Sequence, residues 1–160
     1  MVVYRDASAA TASHCWFMTT VAQTSLRQAR ERTIRAHMEA GCHHDIPAIL
    51  ATFAEANYDV VPLGAPSNGP AAVEEVLGAL FEAFPDFSAG MLAVHHADDI
   101  VFADAVIRGT HRGNWAGVPA SGHRIEVRCG CVFHFEDDRL VKETVYFDHA
   151  TLLAQIGVSG

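Results

Sequence analysis

Glu143 is the residue best placed to do chemistry. It lies in a run, residues 140–147, where Glu143, Val145 and Phe147 alternate with Lys142, Thr144 and Tyr146. The preceding run, residues 124–135, alternates in the same way. Ile125, Val127, Cys129, Cys131, Phe133 and Phe135 share one face, and Arg124, Glu126, Arg128 and His134 share the other. Period-two alternation marks strands with one buried face. Glu143 therefore stands in an apolar row, where desolvation would raise its pKa toward the range useful to a general acid or base. The plainer alternative is a structural ion pair, with Arg108 as partner.

His111 is the second candidate, as a base or a group that orients a ligand. The alternative is a strand-end histidine bonded to its adjoining loop. Cys129 and Cys131 share a strand face, but a zinc site needs two more ligands. No second Cys/His pair has the required spacing. They read as small buried residues, and no metal is expected. The pairs His43–His44 and His95–His96 point apart on either a helix or a strand and read as surface residues. Asp148 directly precedes HATLLAQIG and reads as a helix N-cap.

These residues need elements to hold them. Two helices, at about residues 25–40 and from Asp45 with Pro47 in its first turn, come first. The apolar side of the first carries Leu26, Ala29, Ile34, His37 and Met38. A short strand at 58–62 follows. A third helix begins at Gly69–Pro70, with Val73, Val76, Leu77, Leu80, Phe81 and Phe84 at helical spacing, and stops at Pro85. Strands then dominate. Residues 100–111 are apolar on both faces, which predicts a central strand covered on both sides. Residues 136–139 (EDDR) form a tight turn. Helices first and strands last indicate an α+β domain with an antiparallel sheet. Residues 1–22 read as a poorly ordered arm and residues 23–160 as one domain.

The 160 residues suit a single core. Half are apolar, 19% are charged and the formal net charge is -8. That balance argues against nucleic acid or an anionic membrane as partner. No run is long enough to span a bilayer, and the N-terminus lacks the pattern of a signal peptide, so a cytoplasmic location is expected.

Four stretches occur in order: HHDIPAILATFAEANYDVV, NGPAAVEEVLGALFEAFPDF, GTHRGNWAGVPASGHRI and EDDRLVKETVYFDHATLLAQIG. Together they resemble the SnoaL-like polyketide cyclase branch of the nuclear transport factor 2-like superfamily, over about residues 33–158. The resemblance implies a cone, in which a curved antiparallel sheet wraps three or four helices around an apolar pocket. It also implies a homodimer, an apolar small-molecule ligand, which in the best-known cyclases is polycyclic, and acid–base chemistry of the polyketide or ester cyclase type without cofactor or metal. Tyr58, Trp115, His37, Cys129, Cys131, Phe133, Val145 and Phe147 would line that pocket or its lid. In the cyclases an Asp on the strand after the tight turn transfers the proton, and that position is Val145 here. A His and a Gln on the preceding strand match Cys131 and Cys129. Glu143, with His111 as helper, is then the expected acid or base. Two other readings remain. One is a non-catalytic ligand-binding or accessory protein with the same pocket. The other is an epoxide-hydrolase-like enzyme with Asp104 and Arg108 inside the cavity, against a plain Asp104–Arg108 salt link on the sheet.

Overall fold

The computed structural model describes residues 8–64 and 66–158, with side chains from residue 22 onward. The first seven residues of the expected arm and the side chain of Cys15 lie outside these. Helix α1 spans Ser8–Cys42 and so takes in much of that arm. Its buried residues Arg30, Ile34, His37 and Ala40 recur every three to four positions and form one inward stripe. Arg30 belongs to this stripe, although its charge suggests a solvated position.

Helix α2 (Ile46–Thr52) starts as expected: the Asp45 side chain accepts the Ala48 N–H at 2.9 Å, and Pro47 occupies the first turn. Helix α3 (Pro70–Ala83) buries Val73 and Leu77. Helix α4 (His149–Gln155) is capped by Asp148, whose side chain accepts the Thr151 N–H at 3.0 Å. Gly157 ends that segment at φ 94, a conformation that glycine adopts without strain.

The strands are β1 (Asn57–Val60), β2 (Pro66–Asn68), β3 (Ser88–His96), β4 (Ile100–Thr110), β5 (Arg124–Glu136) and β6 (Arg139–Phe147). They form one curled, unclosed sheet in the order β2-β1-β6-β5-β4-β3, packed on the helices as an α+β cone. One pairing departs from the antiparallel expectation: β1 runs parallel to β6, with Tyr58 opposite Glu143. Parallel neighbours need a long crossover. Here the chain from α3 to β5 supplies it.

On β5 every odd residue from Ile125 to Phe135 is buried, so the alternation holds along the whole strand. Strand β4 lies between β3 and β5, with its inner face covered and its outer face covered only in part. Its outer face leaves Phe102 at 37% exposure, with Arg108 also exposed. Val106 in this outer row is buried, but Phe102 lacks cover, which corrects the expectation of a strand buried on both sides along its length.

Two loops fix the rim of the cone. Gly113 packs against the end of α3, and a Cβ there would run into the backbone carbonyl of Glu82. Gly113→Ala is expected to cost about 1–3 kcal/mol as an overpacking strain. A lower urea midpoint at unchanged slope would show it. Asp86 ties the start of β3 to the end of β4: its carboxylate accepts the Thr110 N–H at 2.5 Å and the Thr110 hydroxyl at 2.7 Å. These two bonds hold its carboxyl below the usual carboxylate range. A group depressed in the folded state contributes stability above its unfolded pKa, about 3.9, and loses it as pH falls through the folded value. The stability gap between native protein and Asp86→Asn should therefore narrow between pH 6 and pH 3. A gap that stays constant would contradict this.

Candidate active site

Strand β6 lies between β5 and β1, so Glu143 has Phe133 on one side and Tyr58 on the other. All three are on the inner face. Above them passes α1, which places His37 over the row. The His37 Nε2 lies 2.9 Å from Glu143 Oε2, and both side chains are more than nine-tenths buried. The other ring nitrogen, Nδ1, lies 2.8 Å from the Thr52 hydroxyl oxygen. That hydroxyl donates its only proton to the Ile49 carbonyl at 2.6 Å. Thr52 must therefore accept from His37, which fixes the Nδ1–H tautomer. Phe53 and Phe133 meet the imidazole edge-on, with centroids at 5.2 and 5.8 Å, and hold its plane.

With Nδ1–H fixed, Nε2 is the ring nitrogen turned to the Glu143 carboxyl group. The approach is off the ring N–H direction, and Oε2 has no aligned hydrogen-bond partner among the described residues. The pair is in contact without being locked by a linear bond.

His37 and Glu143 line a cavity of about 100 Å³. Tyr58, Trp115, Cys129, Cys131, Val145 and Phe147 line it too, while the helices contribute Leu77, Leu80, Phe81 and Phe84. No Arg or Lys is among its lining residues. An engineered apolar cavity of about 150 Å³ holds benzene. The space is on the scale of one small ring.

The thiols of Cys129 and Cys131 interact with each other. The Cys131 thiol is pushed well above its ordinary range by that interaction, by burial and by the Glu143 carboxylate. It stays protonated, as a weak donor toward Glu143. Burial, and then the same carboxylate, push the Tyr58 phenol well above its usual value.

Three expected site residues lie elsewhere. Phe133 is fully buried behind His37 and does not line the cavity, because the curve of the sheet sinks its side chain into the core. His111 is also fully buried and off the cavity wall. Its Nδ1 accepts the Ser121 N–H at 3.3 Å and meets the Ser121 hydroxyl at 3.1 Å. Its backbone bonds His123 and Gly122, so it pins the loop that carries Trp115. Burial lowers its pKa and keeps the ring neutral. Arg108 lies on the outer face and pairs with Glu126 at 2.7 Å, whereas Asp104 pairs with Arg128. This removes the expected Asp104–Arg108 link, the Arg108–Glu143 pair and the epoxide-hydrolase-like site together: on a curved sheet their even-numbered row faces away from the helices.

His37 was expected only as a pocket-lining residue, and Thr52 was not singled out. No local pattern marks either as a partner of Glu143. The one signal is indirect: a buried carboxylate must find a partner, and His37 was the polar residue on the apolar side of α1.

Solved structures share this fold. A candidate polyketide cyclase from Xanthomonas campestris pv. campestris superposes with a TM-score of 0.75 at 24% identity, over 82% of this chain and 99% of that one. IdmH from Streptomyces antibioticus, also a candidate polyketide cyclase, gives 0.68 at 26% identity, over 81% and 99%. A SnoaL-like protein from Jannaschia sp. CCS1 gives 0.72 at 18%, over 83% and 94%. No curated protein matches the chain in sequence at a significant level. The family of SnoaL-like polyketide cyclases matches residues 31–156, nearly the whole described cone. The chain belongs to the SnoaL-like polyketide cyclase family.

Proposed function

We propose that the protein is a cofactor-independent acid–base enzyme of the cyclase or isomerase type, acting on a small uncharged carbonyl compound. The observation that carries this reading is the His37–Glu143 contact at 2.9 Å, set in an apolar cavity and anchored by Thr52. An aldol-type closure or an isomerisation begins by removing a proton next to a carbonyl. That step needs a base within reach of the carbon and little competing water. Glu143 is the base, and His37 orients it and balances its charge. Val145 leaves the wall apolar at the position where the cyclases carry their Asp, so the proton-transfer group is moved by two residues along β6. A neutral substrate follows from the lining, which is apolar around the acid–base pair and holds no Arg or Lys.

A non-catalytic ligand-binding role is the second reading. The small apolar cavity favours it, but a buried acid–base pair is a costly feature for a mere container. Cyclohexanone, about the size of benzene, separates the two. The native protein should speed deuterium uptake at its α-carbons in D2O, followed by NMR, and Glu143→Gln should not. Equal rates for the two proteins would leave only the binding role.

A further inference from the structure

We infer that Tyr58 is a further catalytic residue, whose phenolic O–H hydrogen-bonds the carbonyl oxygen of the substrate as negative charge develops there. The inference rests on the acid–base reading above and assigns the group that reading lacks. Breaking the C–H bond sends the proton to Glu143 and moves the electron pair into the new C=C bond. The charge then resides on oxygen, which needs a donor.

Tyr58 is opposite Glu143 in the β1–β6 register, and both line the cavity. A substrate that offers its α-carbon to Glu143 therefore brings its oxygen, two bonds away, toward the neighbouring strand. The Tyr58 hydroxyl has no hydrogen-bond partner among the described residues. Tyr58 is half-buried and borders the cavity, so its unpartnered hydroxyl is open to the oxygen of a bound ligand. Burial and the Glu143 carboxylate keep the phenol protonated, so it serves as a donor and not as a second base. Among the residues that line the cavity, the Trp115 indole N–H also lacks a partner, but it belongs to the aromatic end with Phe84, Ile125 and Leu152. Tyr58 packs instead with Cys131 and Val145.

The test uses carbonyl-labelled cyclohexanone and two readouts, its infrared C=O stretch when bound and its α-deuterium exchange. In the native protein and in Glu143→Gln the bound stretch should lie below that of the ketone in an apolar solvent. In Tyr58→Phe it should return to the apolar value, and exchange should fall roughly 100- to 1,000-fold through kcat. Trp115→Phe should leave the stretch lowered. An unshifted stretch in the native protein, no change in Tyr58→Phe, or loss of the shift in Trp115→Phe instead would each overturn the assignment. Normal exchange in Glu143→Gln would sink the acid–base reading alone, because the C=O stretch reports Tyr58 independently.

Discussion

Glu143→Gln is expected to lower α-proton exchange by about 100- to 10,000-fold, the range for loss of a positioned base, while the protein stays folded. The reason lies in the tautomer. Because Thr52 holds the proton on His37 Nδ1, Nε2 is free to accept a hydrogen bond from the new amide. The pair stays satisfied, and only the transferable proton is lost. The reverse substitution should behave differently. His37→Phe leaves a carboxyl group in the cavity wall without its partner, and breaking a buried pair from one side costs up to about 3–5 kcal/mol. Activity lost with stability kept in Glu143→Gln, but both lost in His37→Phe, would be the signature of this arrangement. Equal destabilisation by the two, read from urea midpoints, would contradict the tautomer.

Arg30→Ala should produce the largest loss of stability away from the cavity. Arg30 is 4% exposed on α1. Its Nε donates to the Asp137 carbonyl at 2.7 Å and its Nη1 to the Asp98 carbonyl at 2.9 Å. The guanidinium also lies 5.2 Å from the centroid of the Phe135 ring. One side chain thus ties α1 to the β3–β4 and β5–β6 turns at once. Hydrogen bonds from a charged donor are worth about 1.5–3 kcal/mol each, and water can reach the turn carbonyls once the side chain is gone. A net loss of about 2–4 kcal/mol follows, or a Tm lower by roughly 5–15 °C for a chain of this size. Arg30→Lys should recover little, since an ammonium cannot span both carbonyls in a planar fork. A Tm within a degree of native for Arg30→Ala would show that the staple is dispensable.

The sequence carried the local part of this architecture. Alternation along β5 and β6 placed Glu143 on the inner face, and the caps at Asp45 and Asp148 follow from side chains bonding amides three residues on. The α3 stripe is equally local. What could not be read depends on distance or depth. His37 lies on the side of α1 that sequence made apolar, but no spacing says which strand that side meets. Nothing in the sequence marks Arg30 as inward, because its partners are backbone carbonyls of remote turns, which no residue type announces. Phe133 shares a face with Cys131, yet sheet curvature decides which of the two borders the cavity. Arg108 had two faces to choose from and two acidic neighbours. Register with β5 settled on Glu126.

The parallel β1–β6 pairing has a consequence for how the protein can fail. It joins the helical first half of the chain to its last strand at the rung that holds Tyr58 and Glu143. His37 and Thr52 come from the first half and Glu143 from near the end, so neither half of the chain alone contains the assembled set. Activity is then a property of the closed chain as a whole. In rising denaturant, proton exchange on the ketone should vanish along the same curve as global structure, with no earlier step.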